Sequence, residues 1–106
     1  MSDFVSVASV DSFADPDRQL VEVDDQLVVL VHAGGNFFAL DDVCTHDGGP
    51  LSDGAIDPEG CTIACPRHGA KFDLATGAAK TMPATKATKA HEVKVEGGQV
   101  YVRLAD

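Results

Sequence analysis

The pattern of hydrophobic and polar positions predicts β-strands at both ends of the chain. The segments QLVEV and LVVLVH flank the turn residues Asp24 and Asp25, and AGGN leads into FFAL. Residues 19–41 therefore predict a meander of three strands. Near the other end, apolar residues alternate with polar ones on both sides of Gly97 and Gly98, which predicts a hairpin with one buried face. The residues predicted to share that face are Val93, Val95, Val100, Val102 and Leu104.

The same pattern predicts one all-β, antiparallel domain over residues 1–106. No segment has a sustained period of 3.6 residues, although a single helical turn is predicted near Ser12–Asp17. Residues 42–83 differ from the rest, because they hold six of the ten glycines, four of the five prolines and all three cysteines. Loops of this composition on a β scaffold often carry function. We expect a base of strands from about 1–41 and 84–106, with residues 42–83 inserted as a subdomain.

The distribution of charge narrows the choice of partners. The formal net charge is −9, which argues against nucleic acid and anionic membranes as partners. Residues 1–66 hold 13 acids and one base, whereas residues 67–106 hold four acids and seven bases. The acidic part predicts either a solvated surface or a docking face for a basic protein, and both interpretations stay open.

The start of the chain, MSDFVSVASVDSF, has neither a basic segment nor a long apolar stretch, so no signal peptide is predicted. The longest aliphatic run, residues 27–31, is far too short to span a membrane. Three cysteines, an odd number, do not suggest the disulfide framework of a secreted protein. We therefore expect a soluble, cytoplasmic protein.

Two pairs of cysteine and histidine stand in the glycine-rich middle. Cys44 and His46 are two residues apart, Cys65 and His68 are three apart, and 18 residues separate the pairs. Positions i and i+2 of extended chain point to one side, and a turn begun by Pro66 lets the second pair do the same. Thiolate with imidazole suits zinc or iron–sulfur chemistry.

The remaining candidates for metal binding are interpreted as parts of the scaffold. Cys61 is predicted to be a small apolar side chain in a strand with Ile63 and Cys65. His32 ends an apolar strand and His91 begins one, so neither is predicted to be a ligand.

The two pairs and their surroundings resemble the Rieske iron–sulfur signature, C-x-H followed after a spacer by C-x-x-H. The matching positions beyond the pairs are Gly48, Gly49, Pro50, Leu51, Pro66, Gly69, Phe72, Asp73, Thr76 and Gly77. The resemblance covers about residues 44–83 and implies a Rieske-type β-sandwich with an inserted cluster-binding subdomain. It also implies one [2Fe–2S] cluster per chain, with Cys44 and Cys65 on the inner iron and His46 and His68 on the outer.

Four positions indicate which branch of that family the chain resembles. The respiratory type has two further cysteines, joined in a disulfide, where this chain has Gly49 and Arg67. It also has serine and tyrosine donors to the cluster and its ligand where this chain has Ala70 and Phe72. Without those donors the reduced cluster is less stabilised, which implies a potential toward the bottom of the Rieske range, roughly −150 mV.

The resemblance therefore implies a soluble, monomeric Rieske ferredoxin like those of bacterial aromatic-ring dioxygenase systems. Such a protein carries one electron from a flavin-dependent ferredoxin reductase to a terminal oxygenase, and it is not an enzyme by itself. Two alternatives stay open: a small Rieske-like subunit of nitrite reductase, and a structural zinc module with a Cys₂His₂ site. The sequence does not name the redox partners, the substrate or the pathway.

Overall fold

The computed structural model describes residues 3–14, 16–42, 51–65, 69–80 and 88–105. Nine strands lie in these ranges: β1 Val5–Ser9, β2 Asp17–Val23, β3 Gln26–Ala33, β4 Asn36–Asp41, β5 Ile56–Asp57, β6 Thr62–Ala64, β7 Lys71–Asp73, β8 Ala90–Glu96 and β9 Gln99–Arg103. Two short 3₁₀ helices, Val10–Ser12 and Leu51–Asp53, complete the regular structure of the described residues. The all-β prediction is confirmed.

All pairings between these strands are antiparallel. Six strands form one sheet in the order β1-β9-β8-β4-β3-β2, and β5, β6 and β7 form a second sheet. The predicted meander is β2, β3 and β4, and the predicted hairpin is β8 and β9. Their turns, Asp24–Asp25, Gly34–Gly35 and Gly97–Gly98, have positive φ at both central residues. This backbone matches the twist of paired strands, and glycine, aspartate and asparagine adopt it at low cost.

Strands β3 and β4 are buried on both faces. Val28, Leu30 and Ala39 pack on one side in a core that includes Val100 and Val102 of β9. Val29, Val31 and Leu40 face the other way, into a core shared with the three-stranded sheet. This explains the unbroken apolar run in β3, since a strand with two buried faces cannot alternate with polar residues. The base and the small sheet are thereby packed on a common central layer.

One residue of the predicted hairpin face is exposed. Val100 and Val102 are fully buried, but Val95 is 52% exposed. The reason is that β8 pairs with β4 only at Ala90 and His91. The end of the hairpin therefore extends past β4, and a groove with a volume of about 330 Å³ opens between the two strands.

The predicted helical turn is earlier in the chain than expected. The structure has a 3₁₀ helix at Val10–Ser12, which overlaps the predicted turn at Ser12, and Asp15 lies outside the described residues. The Ser12 hydroxyl donates to the carbonyl of Ser9 at 2.7 Å. Phe13, the next residue, packs edge-on against Phe37 with 5.3 Å between ring centroids. The backbone of Phe13 is extended, and the helix ends there.

Candidate metal centre

Of the four predicted ligands, the structure describes Cys65. Cys44, His46 and His68 lie outside the described residues, as do Gly49 and Arg67. Among the residues that the structure does describe, no three His, Cys, Asp or Glu side chains are grouped so that they could hold a metal ion. Cys65 and the chain on either side of residues 43–50 and 66–68 define the described part of the centre.

The hairpin of β6 and β7 holds Cys65. Ala64 is paired with Lys71, and the Cys65 N–H extends the ladder by donating to the Ala70 carbonyl at 2.7 Å. The Gly69 N–H then donates back to the Cys65 carbonyl at 2.9 Å. Gly69 has φ +71°, a conformation that costs a glycine little. These two bonds hold Cys65 close to Gly69 and Ala70 and fix the backbone from which the Cys65 side chain projects.

The Cys65 side chain belongs to the hydrophobic core. Only 1% of the residue is exposed, and it packs in the core that joins the small sheet to Val29, Val31 and Leu40. A buried cysteine that is held in place by the fold is well suited to bind a metal, because its position is fixed before the metal binds. The three other predicted ligands, a cysteine and two histidines, lie outside the described residues, and thiolates with imidazoles are the soft donors that zinc and iron–sulfur clusters take.

The first loop is closed by a clamp that the sequence analysis missed. The Asp42 carboxylate accepts hydrogen bonds from the Ser52 N–H at 2.6 Å and the Ser52 hydroxyl at 3.2 Å. The Arg18 guanidinium donates to the Ser52 carbonyl, which ties the clamp to β2. Asp42 and Ser52 thus hold together the two ends of the loop that carries Cys44 and His46. The sequence held one sign that Arg18 has a specific role, since it is the only base among the first 66 residues.

The segment after β7 is ordered by Asp73. Its carboxylate accepts hydrogen bonds from the N–H groups of Ala75 at 2.8 Å and Thr76 at 3.0 Å, and the Lys80 ammonium lies 3.7 Å away. Burial by itself favours the neutral acid, but these hydrogen bonds and the lysine charge outweigh it and lower the pKa of Asp73. The ionised carboxylate therefore supports the turn that follows the Cys65 hairpin.

Gly77 of the same segment approaches the backbone of the base. It has φ +77°, and a Cβ at this position would lie 2.1 Å from the Thr88 carbonyl oxygen. The Thr88 N–H in turn donates to the Gly77 carbonyl at 2.8 Å. Only glycine fits here, which gives a physical reason for Gly77 in the matched motif.

Cys61 is not in a strand, contrary to the prediction. It immediately precedes β6 in a left-handed conformation, with φ +55°. Its carbonyl accepts the Leu74 N–H at 2.9 Å, which requires this bend. Burial and the neighbouring Asp73 charge both raise the pKa of the Cys61 thiol. The thiol is thus disfavoured as a thiolate ligand, and its packing role in the core is confirmed.

The structure confirms scaffold roles for the two other histidines. The His91 side chain is fully buried, and its Nδ1 accepts the Ala105 N–H at 3.0 Å. The proton must then be on Nε2, which donates to the Asp41 carboxylate at 2.7 Å. The Nδ1 of His32 lies 2.8 Å from the Ala14 carbonyl oxygen, to which it donates.

Comparison with known proteins identifies the family. Residues 3–100 match the model of the Rieske [2Fe-2S] domain. The 3-phenylpropionate/cinnamic acid dioxygenase ferredoxin subunit of Escherichia coli (strain K12) is 35% identical over 92 residues, 86% of each chain. The ferredoxin of carbazole 1,9a-dioxygenase from Nocardioides aromaticivorans IC177 is 29% identical with a TM-score of 0.92, over 96% of this chain and 98% of that one.

A further solved structure is a complex of reduced oxygenase and oxidised ferredoxin in carbazole 1,9a-dioxygenase. The matched chain is 31% identical with a TM-score of 0.87, over 94% of this chain and 92% of that chain. Among the residues that the structure describes, no helix is both long and apolar enough to span a membrane. This chain belongs to the Rieske [2Fe–2S] family, and it is a ferredoxin, an electron carrier with a [2Fe–2S] cluster and not an enzyme.

Proposed function

We propose that this ferredoxin carries one electron at a time from a flavin-dependent reductase to the terminal oxygenase of a ring-hydroxylating dioxygenase. The observation that carries the proposal is the similarity, over nearly the whole chain, to ferredoxin subunits of dioxygenases. The complex of oxygenase and ferredoxin in carbazole 1,9a-dioxygenase supports an oxygenase as the acceptor. We further propose that the ferredoxin acts as a cytoplasmic monomer.

We propose that Cys44 and Cys65 bind the inner iron of the cluster and that His46 and His68 bind the outer iron. The burial of Cys65 supports this arrangement, since the inner iron then lies toward the core and the outer iron toward the partner. Neutral imidazoles place less negative charge on the outer iron than thiolates do. The added electron is therefore expected on that iron, at a higher potential than in an all-cysteine cluster.

The low potential proposed from the sequence has support in the same hairpin. Ala70 and Phe72 are both fully buried, and neither side chain has a hydroxyl group. Ala70 lies directly across the hairpin from Cys65, and it occupies the position that matches a hydroxyl donor in the respiratory type. Hydrogen bonds to the sulfurs are a principal means by which proteins raise the potential of iron–sulfur clusters.

We propose that residues 1–106 form one Rieske domain, with a base from about 1–41 and 84–106 and a cluster-binding subdomain at about 42–83. The two sheets support this division, since every strand of the small sheet lies between β4 and β8 in the chain. The subdomain then rests on the central layer of β3 and β4, which gives the ligand loops a rigid support.

The clamp between Asp42 and Ser52 should control how firmly the cluster is held. Replacing Asp42 with alanine removes both hydrogen bonds to Ser52, one of them a short bond from a backbone N–H to a charged group. We expect cluster loss to an iron chelator, followed by visible absorbance, to be faster by about tenfold. The matched Ser52→Ala variant loses only the longer bond and should change the rate by about twofold. Equal rates in the two variants and wild type would show that the clamp does not protect the cluster.

Reconstituted electron transfer tests the proposed function. Purified protein is expected to show the visible and electron paramagnetic resonance spectra of a Rieske centre. Reduced protein is then mixed with oxidised terminal oxygenases of ring-hydroxylating dioxygenases, and oxidation of the ferredoxin is followed by stopped-flow absorbance. Rapid oxidation by at least one oxygenase is the expected result. Oxidation by none of them, or a colourless protein that contains zinc, would contradict the proposal.

A further inference from the structure

Two leucines are exposed on one face of the β2–β3 hairpin. Leu20 is 49% exposed and Leu27 is 52% exposed, and among the described residues only Val95 is a comparably exposed large apolar side chain. Leu20 is paired across the strands with Val29, and Leu27 is the residue two before Val29. The two leucines are thus diagonal neighbours on one sheet face, within reach of each other.

This pair continues a face that is buried elsewhere. Val29, on the same face, is fully buried in the core beneath the small sheet. The sheet face therefore runs from beneath the cluster-binding subdomain out to Leu20 and Leu27, where the described residues no longer cover it. An exposed apolar patch beside a functional site typically marks an interaction surface.

The patch borders the first ligand-bearing loop. The Leu27 carbonyl accepts a hydrogen bond from the Asp42 N–H at 3.3 Å. Asp42 is the last described residue before the segment that contains Cys44 and His46. A protein that covers Leu27 is therefore beside the start of the segment that contains two of the proposed cluster ligands.

The rim of the patch is acidic. Glu22 stands directly opposite Leu27, and Asp24 and Asp25 form the turn of the same hairpin. All three carboxylates are exposed. The cation on this face of β2, Arg18, directs its guanidinium to the Ser52 carbonyl. Apolar contacts with an acidic border fit a partner face that has an apolar depression surrounded by lysine and arginine.

We infer that Leu20 and Leu27, bordered by Glu22, Asp24 and Asp25, form a docking surface for the terminal oxygenase. The inference rests on the proposed function and adds to it the side of the molecule on which the acceptor binds. A second copy of this chain is a poor occupant, because acidic rims repel each other and the net charge is −9. The oxygenase is favoured over the reductase because a similar ferredoxin is in complex with an oxygenase.

The apolar part is tested with the double variant Leu20→Thr/Leu27→Thr. Threonine keeps the preference for a strand and removes most of the apolar surface. The probe is the terminal oxygenase that wild-type ferredoxin reduces fastest among those tested for the proposed function. We expect the ferredoxin concentration that gives half-maximal transfer to rise about tenfold, with an unchanged maximal rate. The matched control is Val95→Thr, since Val95 has the same exposure on a different part of the base.

The acidic part is tested with Asp24→Asn/Asp25→Asn. Asparagine adopts positive φ readily, so the turn should persist without the charges. Association with the oxygenase should slow, and its decline with rising ionic strength should become shallower than in wild type. The control Asp3→Asn/Asp11→Asn removes two carboxylates from the N-terminal segment and should retain most of the salt dependence.

The outcomes separate the inference from the proposed function. If wild-type ferredoxin reduces no oxygenase, the proposed function is wrong and the docking surface is wrong with it. If wild type reduces an oxygenase and the leucine variants do so with equal affinity, only the docking surface is wrong. An equal loss in Val95→Thr, or a loss confined to the reductase step, also overturns it. The single variants Leu20→Thr and Leu27→Thr replace the double variant if the latter does not fold.

Discussion

Replacing Cys65 with alanine should abolish the [2Fe–2S] cluster, whereas replacing Cys61 with alanine should leave it intact. Cys65 is the proposed ligand to the inner iron, and Cys61 lies at the opposite end of β6. Cys61 precedes β6 in a left-handed bend, and the pKa of its thiol is raised by burial and by Asp73. The same chemical change at the two positions therefore separates a ligand from a packing residue.

Iron and sulfide content, together with the visible spectrum, measure this result. Far-ultraviolet circular dichroism shows whether the Cys65→Ala protein remains folded, since the lost side chain also leaves a small cavity in the core. A Cys65 variant that retains the cluster, or a folded Cys61 variant that loses it, would show that the ligands have been assigned to the wrong cysteine.

Introducing the missing hydroxyl donors should raise the reduction potential. In the double variant Ala70→Ser/Phe72→Tyr we expect an increase on the order of 100 mV, within the range of about 450 mV that Rieske centres cover. A donor to the cluster or to its thiolate stabilises the reduced, more negative state more than the oxidised one. Ala70 lies opposite Cys65 in the hairpin, whereas Phe72 lies opposite Ile63. The new serine is therefore attached closer along the hairpin to the proposed ligand than the new tyrosine is.

Protein-film voltammetry measures the potential, and Ala64→Ser is the matched control. Ala64 is adjacent to Cys65 in the same hairpin, but its side chain points to the opposite face, because side chains alternate along a strand. Its substitution should leave the potential nearly unchanged. If the tyrosine hydroxyl finds no partner in this buried site, the fold is destabilised by about 1–3 kcal/mol. A stable double variant with the wild-type potential would contradict the assignment to the low-potential branch.

The sequence predicted the base of the fold because local rules govern it. Period-two alternation identified β8 and β9, apolar segments identified β2, β3 and β4, and paired glycines or aspartates marked the turns. Such turns require positive φ, which few residues tolerate, so they are visible without a structure. The exposure of Val95 was not predictable in this way, since it depends on where β8 leaves β4.

The sequence predicted the ligand pairs of the candidate site but not the residues that support them. The spacing of the two Cys and His pairs pointed to the family, which the comparisons confirm, while the four ligand assignments remain predictions. The supporting residues were missed, because Asp42, Ser52 and Arg18 are far apart in the chain and meet only in the fold. Cys61 was placed in a strand because an apolar segment gives no sign of a left-handed bend.

By itself, the sequence determined the all-β class, the hairpins and the soft donor set, since each depends on residues close together in the chain. The tertiary structure alone decided that β3 and β4 are a central layer with two buried faces. It likewise decided that Cys65 lies in the core and that Leu20 and Leu27 remain exposed beside Asp42. These features depend on which sheet packs on which face, and that is set by contacts between residues distant in sequence.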